Sequence, residues 1–203
     1  MAAKKTKAWP FVKMHALGND AVILDCTKTI PKSPPHTARK LCNRRLGIGA
    51  DMLLLLVKSK SADFGMKIFN PDGSESEMCG NGIRMLAEYI KEHNLTSKKE
   101  FTIETKAGVR EIRFKASKII EVDMGVPMLK GKEIPVNLSG RIINRALRMD
   151  NKELRITCVG MGNPHCVIFQ EENPSALSFA SEEKANFSES AKPWYNSIPI
   201  LTL

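Results

Sequence analysis

The apolar residues Ile83, Leu86, Ala87 and Ile90 recur at helical spacing directly after Cys79-Gly80-Asn81-Gly82, and the segments on either side read mostly as short strands. One amphipathic helix among strands constrains the fold most. It predicts an α+β architecture with strands around a buried helix, not a doubly wound sheet. The same spacing puts the Cys79 thiol at the helix N-terminus. Unpaired N–H groups and the positive end of the helix dipole favour a thiolate there. Gly80 and Gly82 place no side chains in the approach, so a carboxylate can share those N–H groups. A base beside an anion pocket points to chemistry next to a carboxylate.

Strands are expected at 9–15 and 21–25, separated by the hairpin-type turn Leu17-Gly18-Asn19-Asp20. Pro34-Pro35 followed by 37–46 predicts a short helix with Ala38, Leu41 and Cys42 inward. Gly47-Ile48-Gly49 breaks it before a buried strand at 53–57, and a strand at 64–69 runs into the turn Asn70-Pro71-Asp72-Gly73. The Cys79 helix is expected to end near His93-Asn94. Three alternating strands follow at 101–105, 109–114 and 119–124, with turns at Ala107-Gly108 and Ala116-Ser117. Gly125-Val126-Pro127 reads as a linker into a second unit, with strands near 134–136, 154–159 and 166–169.

A chain of 203 residues that is 42% hydrophobic has enough apolar surface for one or two compact domains. Five cysteines, an odd number without a C-x-x-C spacing, indicate reduced thiols rather than a disulfide framework or a zinc site. The basic start Met1–Lys7 is followed by no apolar stretch, and the longest apolar run, Leu53–Val57, is too short to span a bilayer. A cytoplasmic protein without a membrane partner is expected. The net charge of +9 raises nucleic-acid binding, but the lysines are scattered and aromatics make up only 6%, which leaves no stacking platform. No nucleic-acid partner is expected, and the basic charge suits an acidic small-molecule substrate.

Five segments occur together: Lys13-Met14-His15-Ala16-Leu17-Gly18-Asn19-Asp20, Gly47-Ile48-Gly49-Ala50-Asp51, Phe69-Asn70-Pro71-Asp72-Gly73-Ser74, Met78-Cys79-Gly80-Asn81-Gly82-Ile83-Arg84 and Gly160-Met161-Gly162-Asn163-Pro164-His165-Cys166-Val167. In this order and spacing, over about residues 9–169, the chain resembles the diaminopimelate epimerases. The resemblance implies a barrel of strands around a central helix, followed by a pseudo-symmetric second domain. It also implies a reaction without pyridoxal phosphate or metal. Two cysteines flank the α-carbon of LL-diaminopimelate; one thiolate removes the α-proton and the other thiol delivers a proton to the opposite face, giving meso-diaminopimelate for lysine and peptidoglycan synthesis. Carried over by position, Cys79 is the first catalytic cysteine and Gly80 and Asn81 are the carboxylate-binding pair. Asn19, Asn70 and Asn163 hold the substrate through amides that donate to carboxylates and accept from ammonium groups. His165 corresponds to the histidine that tunes the cysteine pair. Met52 departs from the pattern, because relatives often carry a polar residue there. A homodimer is common in the family.

Each of these residues also has a plainer reading. Cys26, Cys42 and Cys158 sit on apolar faces and read as packing, and Cys166 beside His165 points to the opposite strand face. His15, His36 and His93 lack ligand spacing. Asn19, Asn70 and Asn163 all lie where turn residues are expected, and Asp51 reads as a backbone anchor rather than an acid. Gly47-Ile48-Gly49 is not a dinucleotide fingerprint.

The family's second cysteine lies in a Cys-Gly-Ser/Thr-Gly segment preceded by Glu-Arg, and neither occurs in these 203 residues. The expectation is a truncated epimerase: a first domain at 1–124, an incomplete second domain at 125–169 and a tail at 170–203 unlike the family. That tail carries a charge of −3 against +12 for the first 169 residues. Codons for Asn196-Ser197-Ile198-Pro199-Ile200-Leu201 can be read in a shifted frame as a His-Pro-x-Phe stretch of the family type, which makes the tail a candidate frameshift product. Two functions follow: an epimerase, or a non-catalytic remnant or carboxylate-binding module lacking the second catalytic cysteine.

Overall fold

The computed structural model describes residues 8–115, 119–149 and 152–169. The expected turn at Ala116-Ser117 and the expectations about the 170–203 tail lie outside the described residues. The chain divides into two compact units, Met1–Met124 and Gly125–Leu203.

The first unit is organised by two parallel crossovers that place their helices on opposite faces of one sheet. Strand β1 (Val12–Ala16) forms a hairpin with β2 (Asn19–Asp25), turning at Leu17 and Gly18, both with positive φ. Helix α1 (Pro34–Leu41) then carries the chain to β3 (Met52–Val57), which pairs parallel with β2. β4 (Phe64–Phe69) pairs antiparallel with β3 and with the short β5 (Glu75–Ser76). Helix α2 (Gly80–Glu92) is the second crossover, leading to β6 (Glu100–Thr105), parallel to β4. β7 (Gly108–Phe114) and β8 (Ile120–Val122) complete the order β1-β2-β3-β4-β6-β7-β8.

Every residue of Met52-Leu53-Leu54-Leu55-Leu56-Val57 is buried because β3 has a helix on each face. Side chains alternate along a strand. Leu54 and Leu56 join Ala21 and Ile23 against Ile83, Leu86 and Ile90 of α2, while Leu53 and Leu55 join Val22 and Leu24 against Ala38 of α1. Helix α2 touches β1, β2, β3, β4 and β8, so both edge strands reach the same helix. The sheet therefore curls around α2 as a half-barrel, the α+β architecture expected. α1 runs over Pro34–Leu41 rather than 37–46. Pro34, which lacks an N–H, suits a first helical position, and Asn43 ends the helix by accepting the N–H groups of Arg45 and Leu46 on its Oδ1.

In the second unit, β9 (Arg145–Met149), β10 (Lys152–Gly160) and β11 (Pro164–Ile168) form an antiparallel sheet in the order β11-β10-β9. Its core is Ile134, Ile142, Leu154, Ile156, Cys158, Cys166 and Ile168. The strand expected at 134–136 is absent. A 3-10 turn at Gly131–Glu133 leads into Ile134, and the Val136 N–H donates to the Ile134 carbonyl (2.6 Å) in a tight local turn that precludes ladder pairing there.

Candidate active site

Cys79 is the N-cap of α2, with extended backbone (φ −145°, ψ 114°), and its Sγ accepts the Gly82 N–H at 3.3 Å. Its carbonyl accepts the Ile83 N–H, which closes the first helical turn. The N–H groups of Gly80 and Asn81 come too early in the helix to have an intrahelical acceptor. No acidic side chain occupies the first turn to neutralise them. Cys79, Gly80 and Asn81 are half-buried, whereas the next two residues are buried.

The two glycines turn out to do different things. A Cβ built on Gly80 would meet nothing nearer than Arg84 Nη1 at 3.9 Å, so the approach to the helix start is open there. A Cβ on Gly82 would lie 3.3 Å from Leu54 Cδ2, 3.3 Å from Cys79 Cβ and 3.4 Å from Met52 Sδ. Gly82 thus lets the helix start pack tightly on β3, rather than keeping the approach clear as its sequence suggested. Met52 is part of that packing and is buried in the α2 core.

A chain of hydrogen bonds runs from Asn81 into the sheet. Arg84 donates to Asn81 Oδ1, Asn81 Nδ2 donates to Asn19 Oδ1 (2.6 Å), and Asn19 Nδ2 donates to Asp51 Oδ2 (3.4 Å). The parallel register that sets Ala21 beside Met52 also sets Asp20 beside Asp51. Each backbone N–H of that pair donates to the other's carboxylate, at 3.0 and 2.8 Å. Arg44 donates to both carboxylates, at 2.8 and 2.7 Å, and Lys13 lies 3.1 Å from Asp20. The Arg44 guanidinium, helped by the Asp51 N–H and Lys13, holds the Asp20 carboxyl well below the usual carboxylate range against the effect of burial. Asp51 is the backbone anchor its sequence context indicated. Asp20, Arg44 and Arg84 were missed by the sequence reading, although Arg84, three residues after Asn81 on a helix, carried a readable signal.

The first unit therefore brings together Cys79, Gly80, Asn81 and Asn19. Asn70 belongs to a turn: its Nδ2 donates to Ser74 Oγ at 2.9 Å and its N–H to the Ser74 carbonyl. In the second unit, Asn163 and His165 sit at the β10–β11 hairpin, with His165 Nε2 3.0 Å from Asn163 Oδ1. Burial lowers the His165 pKa, which favours the neutral ring. All five cysteines are free thiols. Burial, aided by Asp25, pushes Cys26 up to about 11, and burial, aided by Asp20, pushes Cys42 up to about 11. Among the described residues no group of three His, Cys, Asp or Glu side chains could hold a metal ion, and no helix is long and apolar enough to cross a membrane.

The half-barrel curled on a central helix places the chain in a fold class that two solved proteins share. A probable proline racemase from Agrobacterium radiobacter K84 superposes with a TM-score of 0.59 at 14% identity, over 78% of this chain and 51% of that one. A hydroxyproline epimerase from Agrobacterium vitis superposes with a TM-score of 0.56 at 15% identity, over 78% of this chain and 50% of that one. The sequence narrows the class: residues 11–130 match the family model described as diaminopimelate epimerase. The chain belongs to the diaminopimelate epimerase family. It is 42% identical over 164 residues to the diaminopimelate epimerase of Acetivibrio thermocellus, covering 78% of this chain and 59% of that protein. It is 46% identical over 169 residues to that of Pelotomaculum thermopropionicum, covering 80% and 60%. The chain thus spans about three-fifths of the length of these relatives.

Proposed function

We propose that the site at the start of α2 binds the α-carboxylate of diaminopimelate and that Cys79 carries one of the two proton transfers of its epimerisation. The observation that carries this reading is the thiol at the helix N-cap, beside two N–H groups without intrahelical acceptors and an open glycine. Removing an α-proton shifts negative charge onto the adjacent carboxylate. Donors aimed at that carboxylate then stabilise the transition state more than the ground state. The Gly82 N–H on Sγ plays the same part for the sulfur.

The side-chain amides of Asn19 and Asn81 already bond to each other and to Asp51 and Arg84, so the carboxylate falls to the backbone N–H groups of Gly80 and Asn81. The Asn19 and Asn81 side chains then hold the helix start in place. Asn70, Asn163 and His165 belong to the same proposal as substrate-holding and tuning groups. Residues 1–124 form its first epimerase-like domain, and 125–169 belong to its second. The substrate is a small molecule, the assembly a homodimer and the compartment the cytoplasm.

Ligand protection tests the reading. At pH 8, LL-diaminopimelate should slow carbamidomethylation of Cys79 by iodoacetamide, whereas lysine, which lacks the second carboxylate, should protect less. Cys26 and Cys42, buried and pushed to about 11, are internal controls that should stay unlabelled until the chain unfolds. Identical Cys79 labelling with and without diaminopimelate refutes the assignment. In deuterated water the chain alone should place little deuterium at the substrate α-carbon. Steady incorporation abolished by Cys79→Ser would mean that a second acid lies within these 203 residues.

A further inference from the structure

Cys158 and Cys166 are direct partners across the antiparallel β10–β11 pair. Which kind of partner they are follows from the backbone. In an antiparallel ladder, opposed residues alternate between pairs that exchange N–H···O bonds and pairs that do not. The non-bonded pairs are closer, with Cα atoms about 4.5 Å apart rather than about 5.5 Å. The Cys158 N–H donates to the Ile142 carbonyl, away from β11. Gly160, two residues on, exchanges both its bonds with Met128, again away from β11, and its β11 partner is Pro164, which has no N–H to give. Cys158–Cys166 is therefore a non-hydrogen-bonded pair. Both side chains lie on the buried face of the hairpin with Leu154, Ile156 and Ile168, while Val159 and His165 occupy the other face. Disulfides span Cα separations of roughly 4.4–6.8 Å, so a pair of this kind lies within the range a disulfide can bridge.

From this register we propose that Cys158 and Cys166 form an oxidisable dithiol, a modification site that closes to an intra-hairpin disulfide when the chain meets a hydroperoxide. Cys166 reacts first. It is the more exposed, at 8% against 2% for Cys158, and a hydrogen bond from the Cys158 thiol favours its thiolate. The same contact and burial push Cys158 up, keeping it protonated and able to donate. With hydrogen peroxide, the Cys166 thiolate attacks one oxygen, the O–O bond breaks, and the departing hydroxide takes up the proton the thiol had released and leaves as water, with a sulfenic acid on Cys166. The Cys158 sulfur then attacks the Cys166 sulfur, its proton goes to the departing hydroxide, and a second water leaves. Two thiols lose two electrons, and one hydroperoxide gains them. The new bond staples β10 to β11 beside His165 and close to the turn at Asn163, without using Cys79.

The test is made on the full chain in native buffer with a few equivalents of hydrogen peroxide, followed by N-ethylmaleimide and tryptic mass analysis. Both cysteines fall in one tryptic peptide, Ile156–Lys184. The expected product is that peptide with no alkyl groups and a mass two hydrogens below the dithiol. A dithiol reductant added before alkylation should restore two labels. Cys158→Ser should stall at a dimedone-reactive Cys166, and Cys166→Ser should leave Cys158 unoxidised under the same dose. An Ile156–Lys184 peptide that still takes two alkyl groups after Cys79 has been consumed overturns the proposal. So do cross-links scattered among the five cysteines.

Discussion

Replacing Cys79 by serine should abolish its reactivity and yet make the chain more stable. The N-cap residue stabilises a helix by accepting an otherwise orphaned N–H, and the good acceptors are Ser, Thr, Asp and Asn. Cys79 makes that bond with sulfur at 3.3 Å, a weak acceptor in the position where a hydroxyl oxygen is a strong one. A serine cap is worth about 1 kcal/mol over alanine. A thiol that makes a weaker version of the bond falls between them, so Cys79→Ser should gain about 0.5 kcal/mol and Cys79→Ala lose about 0.5 kcal/mol. Little offsets the gain, because Cys79 is only half-buried and forfeits little apolar burial. For a chain of this size, a 1 kcal/mol spread between the serine and alanine variants corresponds to about 2–4 °C in Tm. Urea titrations of the three proteins, compared at constant m-value, measure the order. If serine is as destabilising as alanine, the Gly82 N–H to Sγ contact is not a cap and the site has been misread.

Lowering the pH should weaken the fold through identified carboxylates. Asp20 is held down first by Arg44, and Asp63 by Lys98 and by the N–H and hydroxyl of Thr102, so both bind protons less readily folded than unfolded. Their contribution is complete above the unfolded value of about 3.9 and is lost as pH falls through the lower folded values. Urea midpoints should therefore drop below about pH 4, and Asp63→Asn, which removes one such group, should flatten that drop; an unchanged slope contradicts the assignment. Leu54→Ala should cost about 2–5 kcal/mol, because Leu54 is fully buried between β3 and α2 beside Gly82. Leu46→Ala, at a side chain 91% exposed, should change stability by less than about 0.5 kcal/mol in the same denaturation assay.

The local features of the sequence translated well into structure. The Cys79 helix runs over Gly80–Glu92 with His93 as its cap, one residue from the expected end, because capping residue, glycines and apolar period all agree. β4 matches its expected bounds for the same reason: an alternating run closed by a Pro-Asp-Gly turn. An element with only a partly buried face left no such signal. Arg145–Met149 is a strand whose first residues are exposed and whose pattern carries no alternation, so β9 could not be read. The Asn19–Asn81 contact was equally invisible, since it spans 62 residues and exists only because the sheet curls β2 and the start of α2 together. Asp20, Arg44 and Asp51 meet through the β2–β3 register, and a register between parallel strands separated by a helix is not written in either strand alone.

The two ends of α2 show what the fold supplies and what the sequence adds. A helix wrapped by a curled sheet is buried along its length, so its dipole is exerted mainly at its ends. At the C-terminal end the chain quiets that field: Lys91 lies in the last turn, and His93 Nδ1 sits 3.0 Å from the Tyr89 carbonyl. At the N-terminal end it does the reverse. No aspartate or glutamate occupies the first turn, the cap is a weakly accepting thiol, and the residue that would cover the N–H groups is a glycine facing open space. A sequence selected only for helix stability would place a hydroxyl or carboxylate at the cap and an acidic residue behind it. Along α2 the asymmetry leaves the positive field unsatisfied at the N-terminal end, beside the one cysteine of the first unit that is not buried. That is the arrangement the proposed proton transfer next to a carboxylate calls for, and it follows from the helix end itself.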